Sequence, residues 1–363
     1  VHSEGTGDRP FIEEMTDTPV FREYHHFFKT GDPHCLRFVH SVLVYLKKMN
    51  VERDDLSTIA LRDWLAIEEK LDTPLVDDVV LADLASIISV ILPSPDRSMF
   101  QPKHGPGQTA EKSGRRVDGK HIYMRLDRRG VRLFNSVVNP IDDWDGYATD
   151  VDCKVDAELV SPSAVLMFVP KDLTKMRSIC MEPVARQYLQ QGVLSMLLAS
   201  FDSGYIGRWV KINDQTRNQR MSREGSISLS LDTIDLSWAS DSVGWDLVKR
   251  IFPLSWLRYL AATRSSQVTL PDGSNIKVRK FAPMGSAVCF PTQCIIFTSV
   301  VILSSLRYIY KKPGGFSHEQ ILATVESFTT TPWRKPLMAP SVYGDDIICD
   351  SRITGDVIQT LED

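Results

Sequence analysis

Apolar residues recur at helical spacing through the first third of the chain. From His34 to Met49 they fall at Leu36, Val39, Val42, Leu43 and Leu46, which predicts a helix. Leu61 to Leu71 and Val80 to Leu92 repeat the pattern, and Asp77 and Asp78 stand where acidic residues suit the helix dipole. Ahead of them Phe11, Phe21, Tyr24, Phe27 and Phe28 are expected packing anchors. Pro183 to Leu198 predicts another helix, with Leu189, Val193, Leu194 and Leu197 inward. The period then drops to two. Leu229, Leu231 and Ile234 alternate along Leu229–Leu236 and predict a strand that ends in Asp235. Ser240-Asp241-Ser242 offers a helix N-cap, and Val243, Leu247 and Ile251 continue that helix. Asp235 therefore closes a strand and Asp241 opens the next helix, a common setting for a ligand crevice.

Breaks in the pattern are as informative. Pro93, Pro95, Pro102, Gly105, Pro106, Gly107 and Gly114 interrupt residues 93–120, where Lys103-His104-Gly105-Pro106-Gly107 precedes Lys112, Arg115, Arg116 and Lys120. Such a loop suits phosphate, and it equally suits a solvated surface. Residues 121–160, with Trp144 and Tyr147, read as surface loops and short strands. Residues 165–180 read as two strands around a turn that carries Lys171, Lys175 and Arg177. Residues 208–225 are polar, mixing Arg208, Lys211, Arg217, Arg220 and Arg223 with Asn213, Asp214, Gln215, Asn218 and Gln219. They suit a nucleic-acid face or a hydrogen-bonded loop, and both readings stand. Val268–Val278 is a hairpin around Pro271-Asp272-Gly273. Pro283-Met284-Gly285-Ser286-Ala287 is a small-residue loop whose Gly285 and Ser286 permit close backbone approach to a substrate. It opens a long apolar helix running to Ile309, in which Pro291 is expected to kink the first turn.

The chain's most pointed stretch is Ser341-Val342-Tyr343-Gly344-Asp345-Asp346-Ile347-Ile348-Cys349. Apolar, strand-favouring runs flank Gly344-Asp345, which is turn chemistry, and predict a buried hairpin. Two like charges aimed at one place by such a hairpin need a cation or another partner.

Composition narrows the picture only slightly. The chain has 363 residues, 43% hydrophobic and 24% charged, with a formal net charge of −4, values ordinary for a globular protein. A basic channel hides easily in such a total. The six cysteines are scattered without Cys-x-x-Cys spacing, which argues against a zinc site or a disulfide framework and suits a reducing cytoplasm. The apolar run Cys294–Ile309 carries Ser299, Ser304, Ser305 and Arg307 and reads as a buried helix rather than a membrane span. No initiator Met or signal peptide is visible, and the last residues follow the hairpin closely, so truncation at both ends is expected.

Asp235, Asp345 and Asp346 can meet if their strands are neighbours. Three hard oxygen ligands suit two Mg²⁺ ions, or Mn²⁺, and two such ions form a clamp for in-line displacement at phosphorus. Lys171, Lys175 and Arg177 suit a triphosphate. Asp241 and Ser286 suit a ribose hydroxyl.

The order of these features resembles viral RNA-dependent RNA polymerases. Lys171…Arg177 is similar to their motif F, Asp235-x5-Asp241 to motif A, Met284-Gly285-Ser286 to motif B and Tyr343-Gly344-Asp345-Asp346 to motif C. Within that group the chain resembles the replicase β subunits of leviviruses, the single-stranded RNA phages. Val169-Pro170-Lys171 with Glu182-Pro183, Asn213-Asp214-Gln215-Thr216 with Asn218-Gln219-Arg220, Glu224-Gly225-Ser226, Asp235 through Ser242, and Leu270-Pro271-Asp272-Gly273 carry the resemblance together with Val342–Ile348. The loop 103–107 is also similar. Positions four and eight after Gly285, where many polymerases carry Thr and a polar or acidic residue, hold Cys289 and Gln293.

The resemblance implies an α+β right-hand polymerase. Residues 1–228 would be an N-terminal region and fingers, including the loop 103–120 and the hairpin 165–180. Residues 229–363 would be an incomplete palm of antiparallel sheet backed by helices, with the thumb beyond this stretch. It implies an RNA-directed RNA polymerase, a nucleotidyltransferase copying a positive-strand phage genome in the host bacterial cytoplasm. Asp235 and Asp345 would be the main metal ligands, Asp346 auxiliary, and Asp241 ribose-selecting. It also implies an RNA template and product, NTPs, host translation elongation factors and a ribosomal protein as partners, and no membrane. The alternatives are a narnavirus- or ourmiavirus-type polymerase, a reverse transcriptase, and an inactive or truncated fragment that only binds RNA or host proteins.

Overall fold

The computed structural model describes residues 19–47, 54–74, 77–105, 107–111, 128–137, 163–172, 174–329 and 337–362. The chain divides into two compact units, Val1–Arg62 with Phe168–Ser178, and Asp63–Met167 with Ile179–Asp363. In the first, α1 (Pro19–Thr30) packs on α2 (Pro33–Lys47). Cys35 and Val39 are buried there, whereas Leu36 and Tyr24, expected to pack inward, are 44% and 41% exposed. Phe11, the side chains of Phe28, Leu43 and Leu46, and residues 48–53 lie outside the described set. Helix α3 (Asp54–Lys70) starts in this unit, seven residues before its apolar period suggests, and ends in the second.

The second unit is built around one apolar cluster. Helix α4 (Asp78–Ile91) is capped by Asp77, whose carboxylate accepts from the backbone N–H groups of Val79 and Val80. It buries Leu81, Leu84, Ile87, Ile88 and Ile91. Helix α5 (Arg128–Val137) occupies a stretch expected to be loops and strands. Its sequence does carry a helical period, at Val131, Phe134 and Val137, which the loop reading passed over, and Leu133 is buried in the core. Lys112, Arg115, Arg116, Lys120, Trp144 and Tyr147 lie outside the described residues.

Strands β1 (Ala164–Pro170) and β2 (Met176–Met181) form the predicted basic hairpin. Helix α6 (Val184–Ser203) follows, with Leu189, Val193 and Leu197 fully buried as their spacing requires. The polar stretch after it turns through residues 209–215 and leaves Lys211, Arg220 and Arg223 exposed. It forms α7 (Thr216–Ser228), which buries Asn218, Met221 and Gly225. That stripe has helical spacing but contains one apolar residue, so hydrophobic periodicity misses it. Leu229 then caps α7 in the left-handed region, with φ of 57°, and is 79% exposed. Strand β3 therefore runs over Leu231–Asp235, two residues shorter at its start than the alternation predicts.

The helix expected to run from Ser240 to Ile251 is two pieces, α8 (Ala239–Ser242) and α9 (Trp245–Ile251), separated by extended Val243 and Gly244. The break frees the backbone of Val243–Trp245 to pair with Arg279–Phe281. Helix α10 (Leu254–Thr263), β4 (Gln267–Thr269) and β5 (Asn275–Lys277) follow, the last two joined by the predicted Pro-Asp-Gly turn. One sheet has the order β2-β1-β4-β5.

Helix α11 (Cys289–Tyr310) is the central core helix. Among the described helices it is the one long and apolar enough to cross a membrane, but 94% of its most apolar window is buried inside the protein. Helix α12 (His318–Ser327) opens with a capping box between Ser317 and Gln320. Strands β6 (Ser341–Tyr343) and β7 (Asp346–Asp350) form the predicted hairpin, and α13 (Thr354–Glu362) follows. The second sheet has the order β3-β7-β6, antiparallel throughout, with α7 and α11 packed on it.

Candidate active site

The register of the second sheet assembles the acidic site. Asp235, the last residue of β3, lies directly opposite Asp346, the first of β7. Cβ atoms so paired stand about 4.5–5.5 Å apart. Asp346 also pairs with Tyr343, which leaves Gly344 and Asp345 as a two-residue turn. Gly344 has φ of 65° and Asp345 does not have positive φ. Glycine in the first central position is what a type II′ hairpin turn requires. A side chain at 344 would also run into the Phe290 ring, so α11 presses glycine on the turn from behind. The Gly344 N–H donates to Cys294 Sγ (3.2 Å), and Phe290 meets Tyr343 edge-on with ring centroids 5.0 Å apart.

Asp235 and Asp345 are exposed, and Asp346 is half-buried. Burial, and then the charge of Asp345, push the Asp346 carboxyl above its ordinary value. The charge of Asp235 adds to the push, and a hydrogen bond from Gln215 opposes it. Among the described residues no Lys or Arg forms an ion pair with any of the three. Among those residues, too, no three His, Cys, Asp or Glu side chains already stand as a metal-ligating group. The donor set is nonetheless hard oxygen under mutual repulsion, which fits Mg²⁺ or Mn²⁺. The carboxylates would have to draw together on the ion.

The polar stretch 215–218, whose role the residues left open, clamps this hairpin. Gln215 Nε2 donates to Asp346 Oδ2 (3.2 Å) and Asn218 Nδ2 donates to the Asp346 carbonyl (3.4 Å). Arg217 donates through Nε to Ser341 Oγ (3.0 Å) and through Nη2 to the Pro340 carbonyl (3.3 Å). Ser341 Oγ in turn donates to Asn218 Oδ1 (2.7 Å). These contacts fix the hairpin's backbone at both strands. Gln215, Arg217 and Asn218 were not expected at the site. Their density of amide and guanidinium groups was the available signal, but it does not say which surface they serve.

A second cluster surrounds Asp241. Its carboxylate is 2% exposed and lies 3.9 Å from Lys280 Nζ. Burial raises the thiols of Cys180 and Cys289, with Glu182 and then Asp241 adding to the first and Asp241 to the second, and α8, which carries Asp241, packs on α11. The loop 283–287 is pinned on two sides. Cys180 N–H donates to the Met284 carbonyl (2.7 Å), and Ala287 N–H to Gln190 Oε1 (3.3 Å). Gly285 has φ of 121°, and a Cβ there would strike the Cys180 carbonyl, so close backbone approach is the reason for glycine. Ser286 Oγ and Gln293 Nε2 are buried without a hydrogen-bond partner among the described residues. Orphaned polar atoms at a pinned loop fit a polar ligand.

Lys171, Lys175 and Arg177 are exposed on the tip of the β1–β2 hairpin. The Lys171 N–H donates to the Lys175 carbonyl (2.9 Å), which closes that tip. The tip belongs to the first unit, whereas the acidic cluster is built within the second. In the glycine loop His104 packs on Tyr188 with centroids 4.8 Å apart, and Gly105 is buried near Gln187. Lys103 is exposed.

The fold is like that of viral RNA-dependent RNA polymerases. Across 95% of the chain and 66% of the other, the structure superposes on a human picobirnavirus RNA-dependent RNA polymerase with a TM-score of 0.51 at 12% identity, a likeness of fold. A family model described as RNA replicase, beta-chain matches residues 142–310. Over much of that stretch the chain is similar to phage proteins named as RNA-directed RNA polymerase beta chains. It is 32% identical to the RNA-directed RNA polymerase subunit beta of Enterobacteria phage SP over 58% of this chain and 31% of that protein. It is 32% identical to the beta chain of Escherichia phage MS2 over 53% and 30%, and 42% identical to that of Enterobacteria phage GA over 36% and 24%. The chain thus spans about a third of the length of the curated relatives it matches.

Proposed function

We propose that this chain carries the palm catalytic centre of an RNA-directed RNA polymerase that replicates a positive-strand phage genome. The observation that carries the reading is the register of Asp235 opposite Asp346, with Asp345 at the adjoining turn. The reaction joins an RNA 3′ oxygen to the α-phosphorus of an NTP. The bond from that phosphorus to the β-phosphate bridge breaks, pyrophosphate leaves, and the 3′ hydroxyl gives up its proton.

In this reading Asp235 and Asp345 hold divalent cations and Asp346 assists. Such cations, when bound, acidify the attacking hydroxyl and offset the charge of the leaving pyrophosphate. Gln215 and Asn218 hold Asp346 at the sheet end, and α11 fixes the turn through Cys294 and Phe290. Asp241 and Ser286 accept and orient the ribose of the incoming nucleotide, with Gly285 seating the Ser286 loop against the Cys180 carbonyl. Lys171, Lys175 and Arg177 bind the triphosphate; they belong to the fingers, residues 1–228, and the palm begins at residue 229. RNA and NTPs are the substrates. Host elongation factors, a ribosomal protein and the bacterial cytoplasm are the setting that the resemblance of the sequence implies.

The test is incorporation of labelled NTPs by the full-length protein on an RNA template with Mg²⁺. Template-dependent extension that chelation abolishes supports the reading. RNA binding without any synthesis would instead favour a fragment that acts only as a binder.

A further inference from the structure

Lys280 is fully buried, a costly place for an ammonium group unless its partners are built in. Its Nζ donates to the Trp64 carbonyl (2.9 Å) and lies 4.0 Å from the centre of the Trp64 ring. It pairs with Glu68 (3.4 Å) and Asp241 (3.9 Å), both nearly as buried. Burial lowers the affinity of this amine for its proton, and the charges of Asp241 and then Glu68 offset part of that loss.

The backbone around Lys280 is equally constrained. Trp245 N–H donates to the Arg279 carbonyl (2.7 Å) and Phe281 N–H to the Val243 carbonyl (2.7 Å), which ties this segment to the residues just after Asp241. Glu68 accepts from the N–H groups of Arg279 (2.6 Å) and Lys280 (3.4 Å). Arg264 donates twice to the Lys280 carbonyl (3.1 and 2.8 Å). The side chain therefore has one course, between α3 and Asp241. At 3.9 Å it attracts Asp241 by charge and is too distant for a hydrogen bond.

We propose that Lys280 is the positioning residue that holds the Asp241 carboxylate toward the ribose site, and that Trp64 and Glu68 of α3 are its anchor. The inference rests on Asp241 being the ribose-recognising residue. In the full-length protein, kcat/KM for an NTP against the matching 2′-deoxy NTP separates the two ideas. Asp241→Asn should lower that ratio about tenfold or more, the size of one charge-assisted hydrogen bond.

Lys280→Met, of similar volume, should lower it about tenfold, mainly through the KM of the NTP, and should add nothing in the Asp241→Asn background. Removing the lysine alone leaves two buried acids, so Lys280→Met is also combined with Glu68→Gln, a variant expected to fold and to show the same loss. A purely structural role would slow both sugars equally and leave the ratio alone. If Asp241→Asn lowers the ratio and folded Lys280 variants keep it, the Lys280 proposal is overturned while the ribose reading stands. If Asp241→Asn itself keeps the ratio, the ribose reading fails and takes the proposal with it.

Discussion

The two ends of β7 carry the same residue type in opposite circumstances. At one end Asp346 faces Asp235 and adjoins Asp345, and the Gln215 amide is its side-chain partner. At the other, Asp350 is buried and accepts from the Met338 N–H (3.0 Å) and from Arg352 through Nε (2.8 Å) and Nη2 (2.7 Å). Nearby on β3, Asp232 accepts from the Thr354 hydroxyl (2.6 Å). Burial pushes Asp350 up, but the Arg352 and Met338 hydrogen bonds outweigh it and hold the group below its ordinary value. Asp346 is pushed the other way. Matched acids secure a strand end. Acids massed with no ion pair among the described residues are sustained by the fold at a cost, which makes sense where a ligand supplies the charge.

The contrast breaks most readily at Asp345. Asp345→Asn should reduce nucleotide incorporation by at least about 10³-fold, beyond the 10–100-fold typical of outer-shell partners. It should leave the thermal midpoint unchanged or slightly higher, because repulsion is relieved. Synthesis at the wild-type rate would remove Asp345 from the site.

Asp350→Ala should do the reverse. It strands Arg352 and costs about 3 kcal/mol in denaturant unfolding, the low end for a broken buried pair because Arg352 is 49% exposed. A loss below about 0.5 kcal/mol, typical of a surface site, would erase the distinction between the two ends.

Gln215→Ala tests the clamp. Incorporation should fall about tenfold with little change in stability, as for an outer-shell partner. An unaltered rate would mean that Asn218 and the sheet pairing hold Asp346 without it.

The smallest effect is on pH. Asp350 has a lowered folded-state value, so its stabilisation is present above the ordinary carboxylate value of 3.8 and is lost as pH falls through the lowered one. Melting curves of wild type and Asp350→Asn should therefore converge on acidification below about pH 4. A constant gap would assign the effect to packing.

The sequence by itself determined the elements whose chemistry is local. Gly344 and Asp345 between apolar runs specify a tight hairpin, and the helices α4, α6 and α11 follow from apolar spacing long enough to override local detail. The small-residue loop at 283–287 was legible for the same reason, since glycine at 285 answers a backbone need. What the sequence left undetermined depends on contacts between distant segments. Helix α7 buries Asn218 and Gly225 beside Met221, so its stripe has no apolar signature until the hairpin is there to bond it. The break after Ser242 exists because Arg279–Phe281 pairs with Val243–Trp245, a partner some 36 residues away. Lys280 looks like any surface lysine in sequence. Only the tertiary structure encloses it with Trp64, Glu68 and Asp241, because a buried charge is defined by its surroundings and not by its neighbours in the chain.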